Sequence, residues 1–194
     1  MYKSRLLENL PRVRGAIEKA AMRAGRSSEE VTLVAVTKAH PPEALRAALA
    51  VGIADLGENR LEELEEKVGL IGRNAATWHM VGHVQSRKAR QAAELSDLIH
   101  SVDTLKLARR VSGFALEREV RVPVLLQVNT SGEESKSGFP LDRVMDALYE
   151  ALELDGLELR GFMTMAPFNE DERILRKTFG ALRRVQEDAE RIPA

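Results

Sequence analysis

The order of apolar and polar positions divides the chain into alternating helical and extended stretches. Leu6, Leu10, Val13, Ile17, Ala20 and Ala24 recur at steps of four and three. This is the stripe of an amphipathic helix, with Gly25 to end it and Pro11 as an irregularity inside it. Val31 to Val36 (VTLVAV) is continuous, apolar and rich in β-branched residues, the pattern of a strand buried on both faces of a parallel sheet. Pro41-Pro42 then opens a helix whose apolar side is Leu45, Ala48 and Leu49, and Gly52 closes it. The alternation repeats, with strand-like runs at ADLGEN from Ala54, TWHMVG from Thr77, LIHSVD from Leu98, PVLLQVN from Pro123 and LRGFMTM from Leu159. Helical periodicity lies between them over Leu61 to Val68, Lys88 to Leu95, Leu105 to Leu116 and Leu141 to Leu154, and a charged amphipathic helix follows from Asn169 to Arg191.

Six strands alternating with helices predict a parallel α/β sheet, either open and doubly wound or closed as a β/α barrel. The polar residues separate the two. Lys38, Glu58 and Asn59, His83 and Gln85, Ser101 and Asp103, Asn129 to Ser131, and Thr164 stand at or just past the C-terminal end of successive strands. Only a barrel brings every one of those ends to one site, so a TIM-type (β/α) barrel is the expected fold, although six strands are two short of eight.

Composition adds bounds rather than a function. The 194 residues suit one domain, spanning 1–194, and 44% hydrophobic with 30% charged residues is ordinary for a globular chain. A balance of 29 basic and 30 acidic residues argues against nucleic acid or an acidic membrane as the main partner. The absence of cysteine excludes disulfides, thiolate metal sites and a cysteine nucleophile, and suits the cytoplasm. No apolar run approaches the ~20 residues of a membrane span.

Several residues carry candidate chemistry. Lys38 ends an apolar strand, and burial there would disfavour its ammonium form and make it a nucleophile toward an aldehyde; the competing reading is a solvated charge at a strand end. Asn59, after Gly57-Glu58, offers an amide to a ring or carbonyl, or caps the next helix. His79 and His83 flank a strand and stand ~13 Å apart in extended geometry, too far for one metal ion, so no metal site is expected. His83 and Gln85 instead face the strand's mouth, with one buried and one solvated histidine as the alternative. The run Ser86-Arg-Lys-Ala-Arg90 could meet a phosphate or form the solvated first turn of a helix. Asn129 to Gly138 (NTSGEESKSG) is a Ser/Gly-rich loop that could cradle an anion or simply lie on the surface.

The segments LVAVTKAHP, DLGEN, WHMVGHVQSRKA, HSVDTLKLA, LLQVNTSGEESKSGF and LRGFMTM, in this order and spacing, closely resemble the pyridoxal phosphate homeostasis family, also called the YggS or PROSC family. That family is similar to the N-terminal barrel of alanine racemase, the fold-type III arrangement, and binds pyridoxal 5′-phosphate through a lysine. The resemblance implies that Lys38 forms the Schiff base, that Asn59 and His83 sit around the pyridine ring, and that Met163 and Thr164 also bind the cofactor. Thr37, Ala39, His40 and Arg60 depart from the family's usual residues at the rim. The family's chain also continues with a Ser-Met-Gly-Met-Ser segment and an Arg-x-Gly segment, which supply the last two strands and most phosphate contacts. Neither has a counterpart here, so the expectation is a barrel lacking its last two strands and a domain incomplete at its C-terminal end.

By resemblance the function is a non-catalytic carrier that holds pyridoxal phosphate, buffers it and delivers it to apo-enzymes. The alternative is a fold-type III enzyme such as an amino-acid racemase. A racemase needs a second acid/base, a tyrosine on a separate β domain, whereas Tyr2 and Tyr149 lie in a terminal segment and inside a predicted helix. A nucleic-acid module built on Arg87 to Arg90 is a third reading, opposed by the near-zero net charge. The expectation is a monomer in the cytoplasm with no membrane or nucleic-acid partner.

Overall fold

The computed structural model describes residues 1–133 and 136–192, and its backbone divides into two compact units, residues 1–79 and 80–194. The first unit holds α1 (Tyr2–Arg23), β1 (Ala35–Val36), α2 (Pro42–Leu49), β2 (Asp55–Glu58), α3 (Leu61–Ile71) and the start of β3 (Thr77–Met80). β1 and β2 pair in parallel, Ala35 opposite Leu56 and Val36 opposite Gly57, and the Thr77 N–H donates to the Ala54 carbonyl at 2.9 Å. α1 packs on α2 and α2 on α3. Leu45, Leu56, Leu64 and Trp78 are fully buried between helices and strands, each such side chain stabilising the unit by about 1.5–3 kcal/mol. α1 runs through Pro11 without interruption, and Pro42 takes the first position of α2, where its missing N–H costs nothing.

The six-residue buried strand expected at Val31 to Val36 is the clearest departure. Only Ala35 and Val36 form a strand, and Val31 and Val36 are 40% and 42% exposed. The run has the composition of a doubly covered strand, but among the described residues β1 has only β2 as a strand partner. Burial begins one residue later, at Thr37.

The second unit holds α4 (Ala89–Leu95), β4 (Leu98–Val102), α5 (Leu105–Glu117), β5 (Val122–Asn129), β6 (Phe139–Pro140), α6 (Val144–Leu152), β7 (Leu157–Met163) and α7 (Glu172–Ala189). β5 is its spine. It pairs in parallel with β4, Ile99 opposite Val124, and with β7, Val122 opposite Leu157 and Gln127 opposite Met163. Its last two residues also pair with β6, a two-residue strand that the Ser/Gly-rich composition of the preceding loop conceals and that makes seven strands among the described residues where six are expected. Along β7 the step from Leu159 to Phe162 spans three residues against two from Val124 to Leu126, so one residue bulges out. Gly161, at φ +126, supplies that bulge and resets which way Phe162 and Met163 face. The core is Ile99, Val102, Leu107, Val111, Val124 and Leu126, all fully buried. No helix among the described residues is long and apolar enough to cross a membrane.

Candidate functional site

Lys38 follows β1 on a tight turn. The His40 N–H donates to the Thr37 carbonyl at 3.0 Å, and Ala39 between them adopts φ +58, in the left-handed region that a residue with a side chain enters at a cost. The turn lifts Lys38 into solvent, so the burial expected for it is absent: the strand before it ends too early to enclose it. Its ε-amine has no hydrogen-bond or ion-pair partner among the described residues. The parallel register that sets Val36 opposite Gly57 carries on past both strands, with the Thr37 N–H donating to the Gly57 carbonyl at 2.9 Å, and so brings Lys38 and Asn59 to neighbouring strand ends. Asn59 does not cap α3; Arg60 holds that position, without a side-chain cap.

Beneath the turn lies a charged cluster. Glu58 is fully buried and Lys67, on α3, is 5% exposed. A lone buried carboxylate or ammonium would be costly, and the ion pair between Lys67 Nζ and Glu58 Oε1 offsets that cost, while Glu58 Oε2 is buried without a partner among the described residues. The three N–H groups of Lys67 Nζ match three acceptors: Glu58 Oε1 at 2.6 Å, the Thr37 carbonyl at 2.8 Å and, more weakly, Glu63 Oε2 at 3.5 Å. The Thr37 hydroxyl also donates to Glu58 Oε1. Glu63 Oε2 accepts the Ala39 N–H at 3.1 Å, and this bond, aided by the Lys67 charge and opposed by partial desolvation, holds the Glu63 carboxyl below its ordinary pKa.

In the second unit His83 is exposed, and its Nδ1 lies 2.7 Å from Oδ2 of Asp103, which is buried just past β4. Ser101, fully buried on β4, donates to the Gly82 carbonyl at 2.6 Å and fixes the segment that carries His83. His79, in the first unit, is buried against Asp55 at 3.1 Å. The basic run is partly absorbed into structure: Arg87 donates to Gln85 at 2.9 Å, and Arg90 lies 5.2 Å over the Phe114 ring.

Met163 ends β7, half-buried opposite Gln127. Thr164 Oγ1 donates to the Val128 carbonyl at 2.8 Å and so accepts from Thr130 Oγ1, also at 2.8 Å. Thr164 thereby ties the end of β7 to the end of β5. Asn129 organises the adjoining loop: its amide donates to the Glu133 carbonyl at 2.9 Å, and its Oδ1 accepts from Ser131 Oγ and the Gly132 N–H, both at 3.1 Å. Glu134 and Ser135 of the loop lie outside the described residues.

The residues that sequence reasoning passes over are the supports. Lys67 reads as one more charge on a charge-rich helix, and nothing in its spacing says that α3 turns it under β1. Glu58 is visible as part of Gly-Glu-Asn, and Asp103 as a polar strand end, but their partners are brought to them by the fold.

Residues 9–194 match the family model for the alanine racemase N-terminal domain. The chain is 40% identical over 185 residues to the pyridoxal phosphate homeostasis protein of Pseudomonas aeruginosa, covering 93% of this chain and 78% of that one. Among solved structures, an unknown protein from Bifidobacterium adolescentis superposes with a TM-score of 0.87 at 33% identity, covering 99% of this chain and 82% of its own. PipY of Synechococcus elongatus, solved with pyridoxal phosphate bound, superposes with a TM-score of 0.76 at 32% identity, covering 89% and 80%.

Proposed function

The chain belongs to the pyridoxal phosphate homeostasis family, built on the alanine racemase N-terminal (β/α) barrel, and from that premise we propose that it binds pyridoxal 5′-phosphate and serves cellular vitamin B6 homeostasis as a carrier, without turnover of its own. Lys38 is the attachment point, as a Schiff base between its ε-amine and the aldehyde. Asn59 and His83 supply an amide and an imidazole to the pyridine ring, and Met163 and Thr164 complete the contacts. The donor set suits this cofactor: a primary amine presented to solvent from a braced turn, and an imidazole oriented by a buried carboxylate. When bound, the cofactor supplies a reactive aldehyde and an electron-withdrawing ring; the protein's part is to hold and release it.

The observation that carries the reading is the placement of Lys38 on a turn whose backbone is anchored while its side chain is left uncommitted. A carrier needs that combination, because a side chain engaged elsewhere would have to break its bonds at every capture. The carrier works as a cytoplasmic monomer that hands the cofactor to apo-enzymes. The direct test is a titration of the purified protein with pyridoxal phosphate, followed by the visible absorbance of the lysine-bound cofactor. The band should grow to saturation in the wild type and be lost in Lys38→Ala. Polarimetry with L-alanine tests the enzyme alternative: no turnover on the scale of a racemase is expected, and such turnover would replace the carrier reading with a catalytic one.

A further inference from the structure

We infer that Lys67 and Glu63 are positioning residues for Lys38: together they clamp the turn from below and thereby set how readily the Lys38 amine captures an aldehyde. The inference rests on the pyridoxal phosphate reading and assigns part of its affinity to residues that do not touch the cofactor.

The Lys38 side chain has no partner among the described residues, so its placement comes from the backbone alone. That backbone is anchored at three points besides its own turn bond. The Thr37 N–H is tied to Gly57 at 2.9 Å, the Thr37 carbonyl to Lys67 Nζ at 2.8 Å, and the Ala39 N–H to Glu63 Oε2 at 3.1 Å. Two of the three anchors come from one helix, α3, four residues apart and therefore on one face of it. They bracket Lys38 on both sides. Ala39 also sits at φ +58, a conformation that persists only when the surroundings over-determine it, and Glu63 is the group that grips its amide. Lys67 serves the clamp twice: it bonds the turn directly, and it neutralises the buried Glu58 that holds the Thr37 hydroxyl. A primary amine on a fixed base loses less freedom on forming a bond than one on a loose loop, so the clamp should appear in affinity and capture rate.

The test uses four variants and three readouts: pyridoxal phosphate capture at Lys38, by visible absorbance and borohydride-fixed mass; amide exchange at Ala39 and His40; and the thermal midpoint. Lys67→Met should weaken capture by about tenfold or more and speed exchange at both amides, and Lys67→Arg should recover part of the loss. Glu63→Ala, at a site that is not deeply buried, should fold, speed Ala39 exchange and weaken capture by roughly three- to tenfold. Val68→Ala, a packing change on the same helix, should lower the thermal midpoint yet leave capture within about twofold. If Lys67→Met folds and captures like the wild type, the inference is wrong; should it fail to fold, wild-type capture by Glu63→Ala overturns the inference instead. A loss in Val68→Ala equal to that in the clamp variants would also overturn it, by reducing the clamp to general stability. Failure of the wild type to be labelled at Lys38 would instead overturn the function proposed above.

Discussion

His83 Nδ1 lies 2.7 Å from Asp103 Oδ2, an exposed imidazole held by a carboxylate that is itself buried. A carboxylate only accepts, which assigns a proton to Nδ1. Asp103→Ala should shift the His83 ring toward the Nε2-protonated tautomer, read from its ¹⁵N chemical shifts. Pyridoxal phosphate affinity should fall by about tenfold, the equivalent of ~1.4 kcal/mol for one lost bond to a charged group. Unchanged ring shifts would show that Asp103 does not orient the histidine.

Glu63 gives the lysine-bearing turn a pH dependence. Its carboxyl lies below the ordinary range because it accepts the Ala39 N–H and faces Lys67. A group whose pKa is lower folded than unfolded adds stability above its unfolded value and loses that contribution as pH falls through the folded one. Denaturant unfolding between about pH 7 and pH 3, bracketing the unperturbed Glu value of ~4.3, should therefore show the wild type ahead of Glu63→Gln at the upper end and the gap closing at the lower. A gap that stays constant with pH would contradict the assignment.

Gly156 packs against the backbone of α5. A Cβ there would overlap the Ser112 carbonyl oxygen and stand 2.8 Å from the Ser112 Cα. The Gly156 N–H also donates to Ser112 Oγ at 3.2 Å, so the glycine cannot withdraw from the helix without losing that bond. Gly156→Ala should cost about 1–3 kcal/mol or more, seen as a lowered thermal midpoint. Gly113→Ala is the contrast: nothing lies within 4 Å of where its Cβ would stand, and the substitution should raise stability by ~0.5–1 kcal/mol by restricting the unfolded chain and favouring helix.

Thr164→Val keeps the shape of the side chain and removes its hydroxyl, along with the bonds to Val128 and Thr130. The expected cost is about 1–3 kcal/mol, because the Thr130 hydroxyl and the Val128 carbonyl both lose a partner. Equilibrium unfolding checks it, and a variant as stable as the wild type would show that this tie between β5 and β7 contributes nothing net.

The fold class and the family are legible in the chain because they rest on repeated signals: the alternation of strand-like and helical runs, and motifs such as VTKAH and GEN at fixed spacing. What is illegible depends on partners distant in sequence. Val31 to Val34 looks like buried strand because β-branched composition reports what a segment could pair with, and the pairing itself decides the outcome. Lys67 looks like surface charge until α3 is placed beneath β1, twenty-nine residues after Lys38 in the chain. Phe139-Pro140 is too short and too close to a Ser/Gly-rich loop to register as a strand, and it exists because β5 offers it two residues of edge. For Lys38 the position is readable and the environment is not: it stands at the strand end as expected, but on an exposed turn over buried charges instead of inside an apolar pocket.

The central claim, that pyridoxal phosphate is held on Lys38, is tested most directly by incubating the protein with the cofactor, reducing with borohydride and mapping the added mass by peptide sequencing. One dominant label is expected, on Lys38, together with its disappearance in Lys38→Ala. Labelling that persists unchanged in Lys38→Ala, or that spreads evenly over surface lysines, would contradict the claim.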